Sequence, residues 1–316
     1  MDISIVIPLY NEEESLSELT SWIEKVMSEN GFSYEIIFID DGSNDNSWNE
    51  IERLKEKYST IRGISFRRNY GKSAALHVGF QSVKGDVVIT LDADMQDSPD
   101  EIPALYRMIK EDGYNLVSGW KKVRHDPVLT KNIPSKFYNF TVRLFTGIKL
   151  HDFNSGIKAY QRKVVNSIEI YGEMHRYIPV IAQRAGFKKI GEKVVEHRKR
   201  IYGKTKFGLS RYVNGYLDLL SVLFITKFGK KPMHFFGVGG SLVFILGFMA
   251  ATYLGIKKIL AVSHGFKMER ISQSPYFYIA LACMIIGTLL FVTGFLGELI
   301  ARSSSDRNDY QIDKEI

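Results

Sequence analysis

Residues 235–256 and 276–297 each run for 22 residues without a charged side chain. A helix gains about 1.5 Å per residue, so roughly 20 apolar residues cross a hydrocarbon core of about 30 Å. A soluble core helix of that length ordinarily keeps a polar face. The pattern therefore predicts two transmembrane helices, with a buried soluble hairpin as the alternative. Gly237, Gly239, Gly240 and Gly247 in the first window, and Gly287 and Gly294 in the second, give small faces where helices approach closely, within a pair or between copies in a homo-oligomer. Basic residues flank both windows: Lys227, Lys230 and Lys231 before, Lys257, Lys258, Lys267 and Arg270 between, Arg302 and Arg307 after. The charge rule therefore sets no orientation, and the chemistry has to.

Upstream, the β-branched runs ISIVIPL, YEIIFID, IRGISF, DVVITLD and NLVSG alternate with helical periodicity over residues 12–29, 45–58, 73–82 and 99–111. Continuous apolar strands separated by helices predict an α/β, Rossmann-like domain with a mostly parallel sheet covered on both faces. Such sheets bind ligands beyond the carboxyl ends of their strands. The opening MDISIVIPLY has an acid at Asp2 and no basic leader, so it is expected to belong to the folded domain and not to a signal peptide. The division expected is 1–209 for the α/β domain, 210–232 for an interfacial amphipathic region, 233–301 for the two spans and 302–316 for a loosely ordered tail. Phe137, Phe140, Thr141, Leu144, Phe145 and Ile148 form another helical stripe, beside Lys136, Arg143 and Lys149. This stripe, like residues 210–228, either lies in a membrane interface or faces the core.

A net charge of +7 favours anionic partners without choosing among nucleic acid, phosphorylated substrates and acidic lipid. The single cysteine, Cys283, lies in an apolar run and excludes a disulfide framework or a cysteine metal cluster. Basic residues that adjoin spans, without interleaved stacking aromatics, argue against nucleic acid.

The motifs fall where the sheet predicts. Asp92-Ala93-Asp94-Met95-Gln96-Asp97 follows the strand VVITL and leads into Ser98-Pro99, which can start a helix. Two carboxylates beside an amide make a hard-oxygen site suited to Mg²⁺ or Mn²⁺ on a diphosphate. Asp40-Asp41-Gly42-Ser43 closes the second strand; Asp40 or Asp41 is placed to accept from a base or ribose, while Ser43 or Asp45 is placed to cap the next helix. Asn69-Tyr70-Gly71-Lys72-Ser73 is not a phosphate-binding P-loop, because Phe66 stands where its first glycine belongs, and Arg198 fails the same test before Gly203-Lys204-Thr205. The basic run from His197 to Gly208 reads as a juxtamembrane patch for anionic lipid, as a mobile phosphate-binding loop, or as both.

The order IVIPLYNEEESL, DDGS, RNYGKSAAL, LDADMQD, DFNSGIKAY, MHRYIP and HRKRIYGKTKFG resembles the inverting family 2 glycosyltransferases, in particular the polyprenyl-phosphate branch with dolichol-phosphate mannosyltransferases and bactoprenol glucosyltransferases. The likeness covers residues 3–210 and implies a glycosyltransferase A-type fold. It implies a nucleotide-sugar pocket of Pro8, Tyr10, Glu12, Asp41, Lys72, Asp92 and Ala93, and a metal site of Asp92, Asp94 and Gln96 for Mg²⁺ or Mn²⁺. Arg198, Arg200 and Lys206 resemble the residues that hold diphosphate and acceptor phosphate. Asp152, Asn154 and Ser155 resemble the sugar and acceptor side, supported by His175 and Arg176, with a buried structural network as the alternative. Catalysis is thereby expected from Asp92, Asp94, Asp152, Arg198, Arg200 and Lys206. The Gln-x-x-Arg-Trp motif of processive synthases does not occur around Trp22, Trp48 or Trp120, so polymerisation is not expected.

The reaction so implied moves one sugar from a UDP-glucose- or GDP-mannose-class donor to a polyprenyl phosphate in the bilayer, with the catalytic domain and both termini on the cytoplasmic face of the plasma membrane. Transfer to a lipid or protein hydroxyl, with Asp152 as base, and a non-catalytic nucleotide-sugar-binding module are the alternatives.

Overall fold

A computed structural model describes residues 1–122, 133–198, 233–265, 270–303, 310 and 312–316. The chain divides into two units, Met1–Val222 with Arg307–Ile316, and Leu223–Asp306.

The first unit carries an eight-stranded sheet of β1 (Ile3–Leu9), β2 (Tyr34–Asp40), β3 (Ile61–Phe66), β4 (Val87–Thr90), β5 (Leu116–Trp120), β6 (Lys158–Gln161), β7 (Ile190–Val194) and β8 (Ile312–Glu315). Their order is β7-β5-β6-β4-β1-β2-β3-β8. Helices α1 (Leu16–Asn30), α2 (Ser47–Lys57), α3 (Lys72–Ser82) and α4 (Ile102–Lys110) connect the first five strands, and α5 (Ile133–Thr146), α6 (Arg162–Val165) and α7 (Ile178–Arg184) follow. Ile3, Ile5, Val6 and Ile7 of β1 are all fully buried, so both faces of this strand are covered. α1 buries Leu16, Leu19, Ile23, Val26 and Met27, one stripe at helical spacing, and ends at Gly31, whose φ of 65° a side chain would disfavour. β1 pairs in parallel with β2 on one side and β4 on the other. The chain runs outward from β1 through β2 to β3, then returns to β4, so the carboxyl ends of β1 and β4 form the switch-point crevice where such sheets bind ligands.

Three strands go beyond the sequence pattern. β6 inserts antiparallel between β4 and β5, β7 lies parallel beside β5, and β8 pairs antiparallel with the edge of β3. The tail expected to be loosely ordered from Arg302 thus ends in a strand. Its four residues are exposed and mostly charged, so only edge pairing reveals it. On α5, Phe140 and Leu144 are 53% and 69% exposed while Val142 is buried, so these two members of the predicted stripe do not face the core. Residues 210–228 lie outside the described residues.

The second unit is a helical hairpin of α8 (Met233–Ser263) and α9 (Pro275–Ser303). Both helices are long and apolar enough to cross a membrane, and only 17% of each apolar window is buried, which disfavours the soluble hairpin. The glycines set the contact: a Cβ on Gly240 would lie 2.6 Å from the Gly287 carbonyl oxygen, and one on Gly247 2.6 Å from that of Ala280.

Candidate active site

The loops after β1 and β2 are laced into one wall of the crevice. Asn11, at φ 54°, donates its N–H to Ser43 Oγ at 2.8 Å, and its Oδ1 accepts from the Asn44 N–H at 2.8 Å. Glu12 N–H reaches Ser47 Oγ at 3.0 Å, and Asn44 Nδ2 donates to the Tyr10 hydroxyl at 3.3 Å. Pro8 lies in register with Ile39 at the end of β1. Asp45, one residue before the Asn46 N-cap position of α2, accepts from the free Ser47 N–H at 3.0 Å, whereas Ser43 serves Asn11.

The paired aspartates after β2 divide their work. Asp40 is buried and accepts from Ser43 N–H at 3.0 Å and from Ser65 Oγ at 3.1 Å, closing the turn. Asp41 accepts from Tyr70 N–H at 2.7 Å and Gly71 N–H at 2.9 Å. Burial pushes the Asp41 carboxyl up, the two N–H donors oppose it, and the Asp40 charge adds, leaving it at about 6.

Asp92 and Asp94 follow β4, the neighbour of β1 on the side away from β2. Lys72, the first residue of α3, donates its ammonium to Asp92. Burial alone would raise the Asp92 pKa; Lys72 first, then Lys121 and Lys158, hold it well below the usual carboxylate range. A Cβ on Gly156 would lie 2.3 Å from Asp92 Oδ2, so only glycine lets that backbone lie against the carboxylate. Asp94 is buried and its Oδ1 accepts from Gln96 N–H at 3.2 Å across Met95, whose φ of 62° is a strained conformation for a side-chain-bearing residue. Among the described residues no group of three or more His, Cys, Asp or Glu side chains forms a metal cage. Two carboxylates on one loop nevertheless fit Mg²⁺ or Mn²⁺, which keep most of their coordination for water and phosphate oxygens.

Below this loop lies a charged cluster that the sequence reading did not single out. Lys121, just past β5, pairs with the fully buried Asp97 at 2.7 Å; burial pushes its ammonium down, but Asp97, Asp92 and Asp152 together raise it above its ordinary value. Lys158 on β6 is 4% exposed and donates to the Ser155 carbonyl; burial, with Lys72 nearby, brings its ammonium down to about 8. Their signal was lysines beside or within apolar strands, where a charge needs buried partners. His175 Nδ1 lies 3.1 Å from Ser73 Oγ, beside Lys72. Burial, then the charges of Lys72, Arg176 and Lys158, hold the ring well below its usual range and hence neutral near pH 7. Asp152 is buried and accepts from Asn154 N–H at 3.0 Å, while its carbonyl accepts from Ser118 Oγ at 3.1 Å.

The start of the basic run is tied to the acidic loop. Arg198 N–H donates to the Gln96 carbonyl at 2.9 Å, Gln96 Nε2 to the Arg198 carbonyl at 3.4 Å, and Asp97 forms an antiparallel bridge with His197. The Arg198 guanidinium itself stacks on Trp22, 4.2 Å from the ring centroid, and pairs with Glu196 at 3.4 Å. Its backbone, more than its charge, is thus brought to Gln96. Arg200 and Lys206 lie outside the described residues.

A mostly parallel sheet with an acidic loop at its β1/β4 switch point defines a glycosyltransferase of the A type. The chain belongs to glycosyl transferase family 2, whose model matches residues 4–168. It is 36% identical over 306 residues to an undecaprenyl-phosphate 4-deoxy-4-formamido-L-arabinose transferase of Shewanella sediminis, covering 96% of this chain and 88% of the relative. It is 32% identical over 305 residues to a dodecaprenyl-phosphate galacturonate synthase of Rhizobium johnstonii, with the same coverage of 96% and 88%. In fold it is similar to glucosyl-3-phosphoglycerate synthase of Mycobacterium tuberculosis, solved with Mn²⁺, UDP-glucose and phosphoglyceric acid, at TM-score 0.53 and 20% identity over 71% of this chain and 79% of that one.

Proposed function

We propose that the chain transfers one sugar from a nucleotide-sugar to a polyprenyl phosphate, with inversion, at a membrane surface. The observation that carries this is that consecutive residues hold both aspartates, Gly71 N–H on Asp41 after β2 and the Lys72 ammonium on Asp92 after β4, in a chain whose full-length relatives are named for polyprenyl-phosphate acceptors. The nucleoside is read against Pro8, Tyr10, Glu12 and Asp41, and the diphosphate against Lys72, Asp92, Ala93 and Asp94.

The bond from the anomeric carbon to the nucleoside diphosphate breaks as a lipid-phosphate oxygen forms its bond from the opposite face. Mg²⁺ or Mn²⁺, held by Asp92 and Asp94 with Gln96 beside them, would supply charge neutralisation for the departing diphosphate. Lys72 adds a fixed positive charge at the same place. A phosphate monoester, with a second pKa of about 6, is already largely ionised near neutral pH and needs no strong base. Asp152 then orients the 152–155 turn and abstracts no proton. Arg198, Arg200 and Lys206 are assigned to the phosphates, which for Arg198 means leaving its stack on Trp22.

The hairpin is read as two spans returning the chain to the cytoplasmic side. The pairing of Ile312–Glu315 with β3, in the unit from which the chain enters the hairpin, supports that topology. Gly239, where an added Cβ would meet nothing within 4 Å, is open to a helix of another copy in a homo-oligomer.

The test is transfer of radiolabel from a panel of UDP- and GDP-sugars, including the galacturonate and 4-formamido-arabinose of the relatives' names, into an organic-extractable lipid. Purified protein, undecaprenyl phosphate and Mg²⁺ or Mn²⁺ are used with a chelator control. Chelator-sensitive product from one donor is expected; no product from folded protein across the panel would favour a hydroxyl acceptor.

A further inference from the structure

Tyr310, far from the acidic loop in sequence, sits against the donor wall of the crevice. Its ring stacks on Phe66 at 5.9 Å between centroids and meets Tyr70 edge-on at 5.5 Å and His77 at 6.2 Å. Phe66 ends β3, His77 lies on α3, and Tyr70 belongs to the loop between them. Phe66 and Tyr70 also touch each other at 5.6 Å, edge to face. The ring therefore bridges both ends of the loop that donates two N–H groups to Asp41.

β8, which begins two residues after Tyr310, is fastened along β3. Gly63 and Ile316 exchange both backbone hydrogen bonds, at 3.1 and 2.9 Å. Arg62 faces Glu315 at 3.7 Å and Arg67 faces Asp313 at 3.8 Å, while the Lys314 ammonium lies over the Trp48 ring at 5.7 Å. The exposed ion pairs contribute little by themselves, so register rests on the ladder and the apolar contacts.

The loop and the aspartate turn are packed backbone against backbone. A Cβ on Gly42 would strike the Arg68 carbonyl carbon at 2.5 Å, so residues 68–69 lie directly on the Asp41-Gly42 backbone. Tyr70 and Gly71 then supply the two N–H donors to the Asp41 carboxylate. A shift of the Tyr70 ring is a shift of its N–H, and the carboxylate that both N–H groups hold follows it.

We infer that Tyr310 is a positioning residue of the donor pocket: the last strand of the chain straps the β3 edge, and its ring holds the Tyr70–Gly71 loop that fixes Asp41 for a nucleoside diphosphate. The inference rests on the reading of Asp41 as part of the donor pocket. It also ties donor binding to the segment that follows the apolar hairpin, a dependence that the match over residues 4–168 does not contain.

The experiment compares the full-length protein with Tyr310→Ala and Tyr310→Phe. Calorimetry measures the binding of UDP and of GDP, kinetics separate donor KM, acceptor KM and kcat, and hydrogen exchange reads the Tyr70 and Gly71 amides. Tyr310→Ala is expected to raise the nucleotide Kd and the donor KM about five- to ten-fold, with acceptor KM and kcat held within about two-fold. The Tyr70 and Gly71 amides exchange faster while β1 and β2 keep their protection, and Tyr310→Phe, which keeps the ring, matches the unsubstituted protein. Unchanged Kd and unchanged amide protection in Tyr310→Ala overturn the inference, as does an equal loss of protection in β1 and β2, which marks a general structural role. If the unsubstituted protein binds neither nucleotide, the donor-pocket reading itself fails and this inference fails with it.

Discussion

Lys72 and Asp92 form an ion pair between the first residue of α3 and the loop that ends β4. Their side chains are 34% and 30% exposed, so the pair adds little to stability once solvent screening is counted. In the proposed reaction its value lies in holding a positive charge where a diphosphate would leave. Lys72→Met is expected to lower kcat about 10²-fold or more while the melting temperature moves little. Steady-state rates beside a thermal melt check this; a kcat within a few-fold of normal would remove Lys72 from the reaction.

Asp94 offers a sharper separation of charge from shape. Its Oδ1 accepts the Gln96 N–H at 3.2 Å, and an asparagine carbonyl can accept the same bond. Asp94→Asn should therefore keep the strained Met95 turn and the fold while losing the charge a divalent cation needs. Turnover is expected to fall at least about 10²-fold and Mn²⁺ binding, followed by electron paramagnetic resonance, to weaken in the same protein. Retained Mn²⁺ affinity with retained turnover would contradict the metal site.

Gly156 tests the packing beneath the same carboxylate. An alanine Cβ would lie 2.3 Å from Asp92 Oδ2 and 2.5 Å from Asp92 Cγ, which forces Asp92 or the 152–156 turn to move. A destabilisation of about 1–3 kcal/mol is expected from the overpacking, together with a loss of activity larger than that stability change explains. Denaturant melts and rates on the same preparation distinguish the two effects; normal values of both would mean that the turn yields freely.

The parallel half of the sheet was legible because fully buried strands are written as continuous apolar runs, and β1, β2 and β3 begin and end where those runs do. β6 escaped because four residues carrying Lys158 look solvated until β4 and β5 close on either side of them. The same physics hid Lys121 and Lys158 as site residues. A lysine in a sequence defaults to water, and only the three-dimensional meeting with Asp92, Asp97 and Asp152 reverses that default. Asp92 and Asp94 were legible since two acids directly after an apolar strand already break the pattern. Tyr310 was not, because its partners Phe66, Tyr70 and His77 are distant in sequence and the strand that begins two residues later is an exposed edge.

Asp41 is expected to link pH to both donor binding and stability, in opposite directions. Its carboxyl is raised from 3.8 to about 6 in the folded protein, chiefly by burial. Between those values the folded state keeps a proton that the unfolded state releases, so this group's contribution to stability is full below about pH 4 and is lost as pH rises through about 6. In the proposed donor pocket, binding is expected to run the other way, because an ionised carboxylate is the stronger acceptor for a ribose hydroxyl or base N–H. The donor KM is expected to rise as pH falls below about 6, and Asp41→Asn is expected to flatten that dependence with a raised KM throughout. The stability of Asp41→Asn relative to the unsubstituted protein, which cancels the other titrating groups, is expected to improve from pH 4 to 6 and then level off. Thermal melts across that range measure it, and a difference that does not change with pH would show that the Asp41 carboxyl titrates as an ordinary solvated acid.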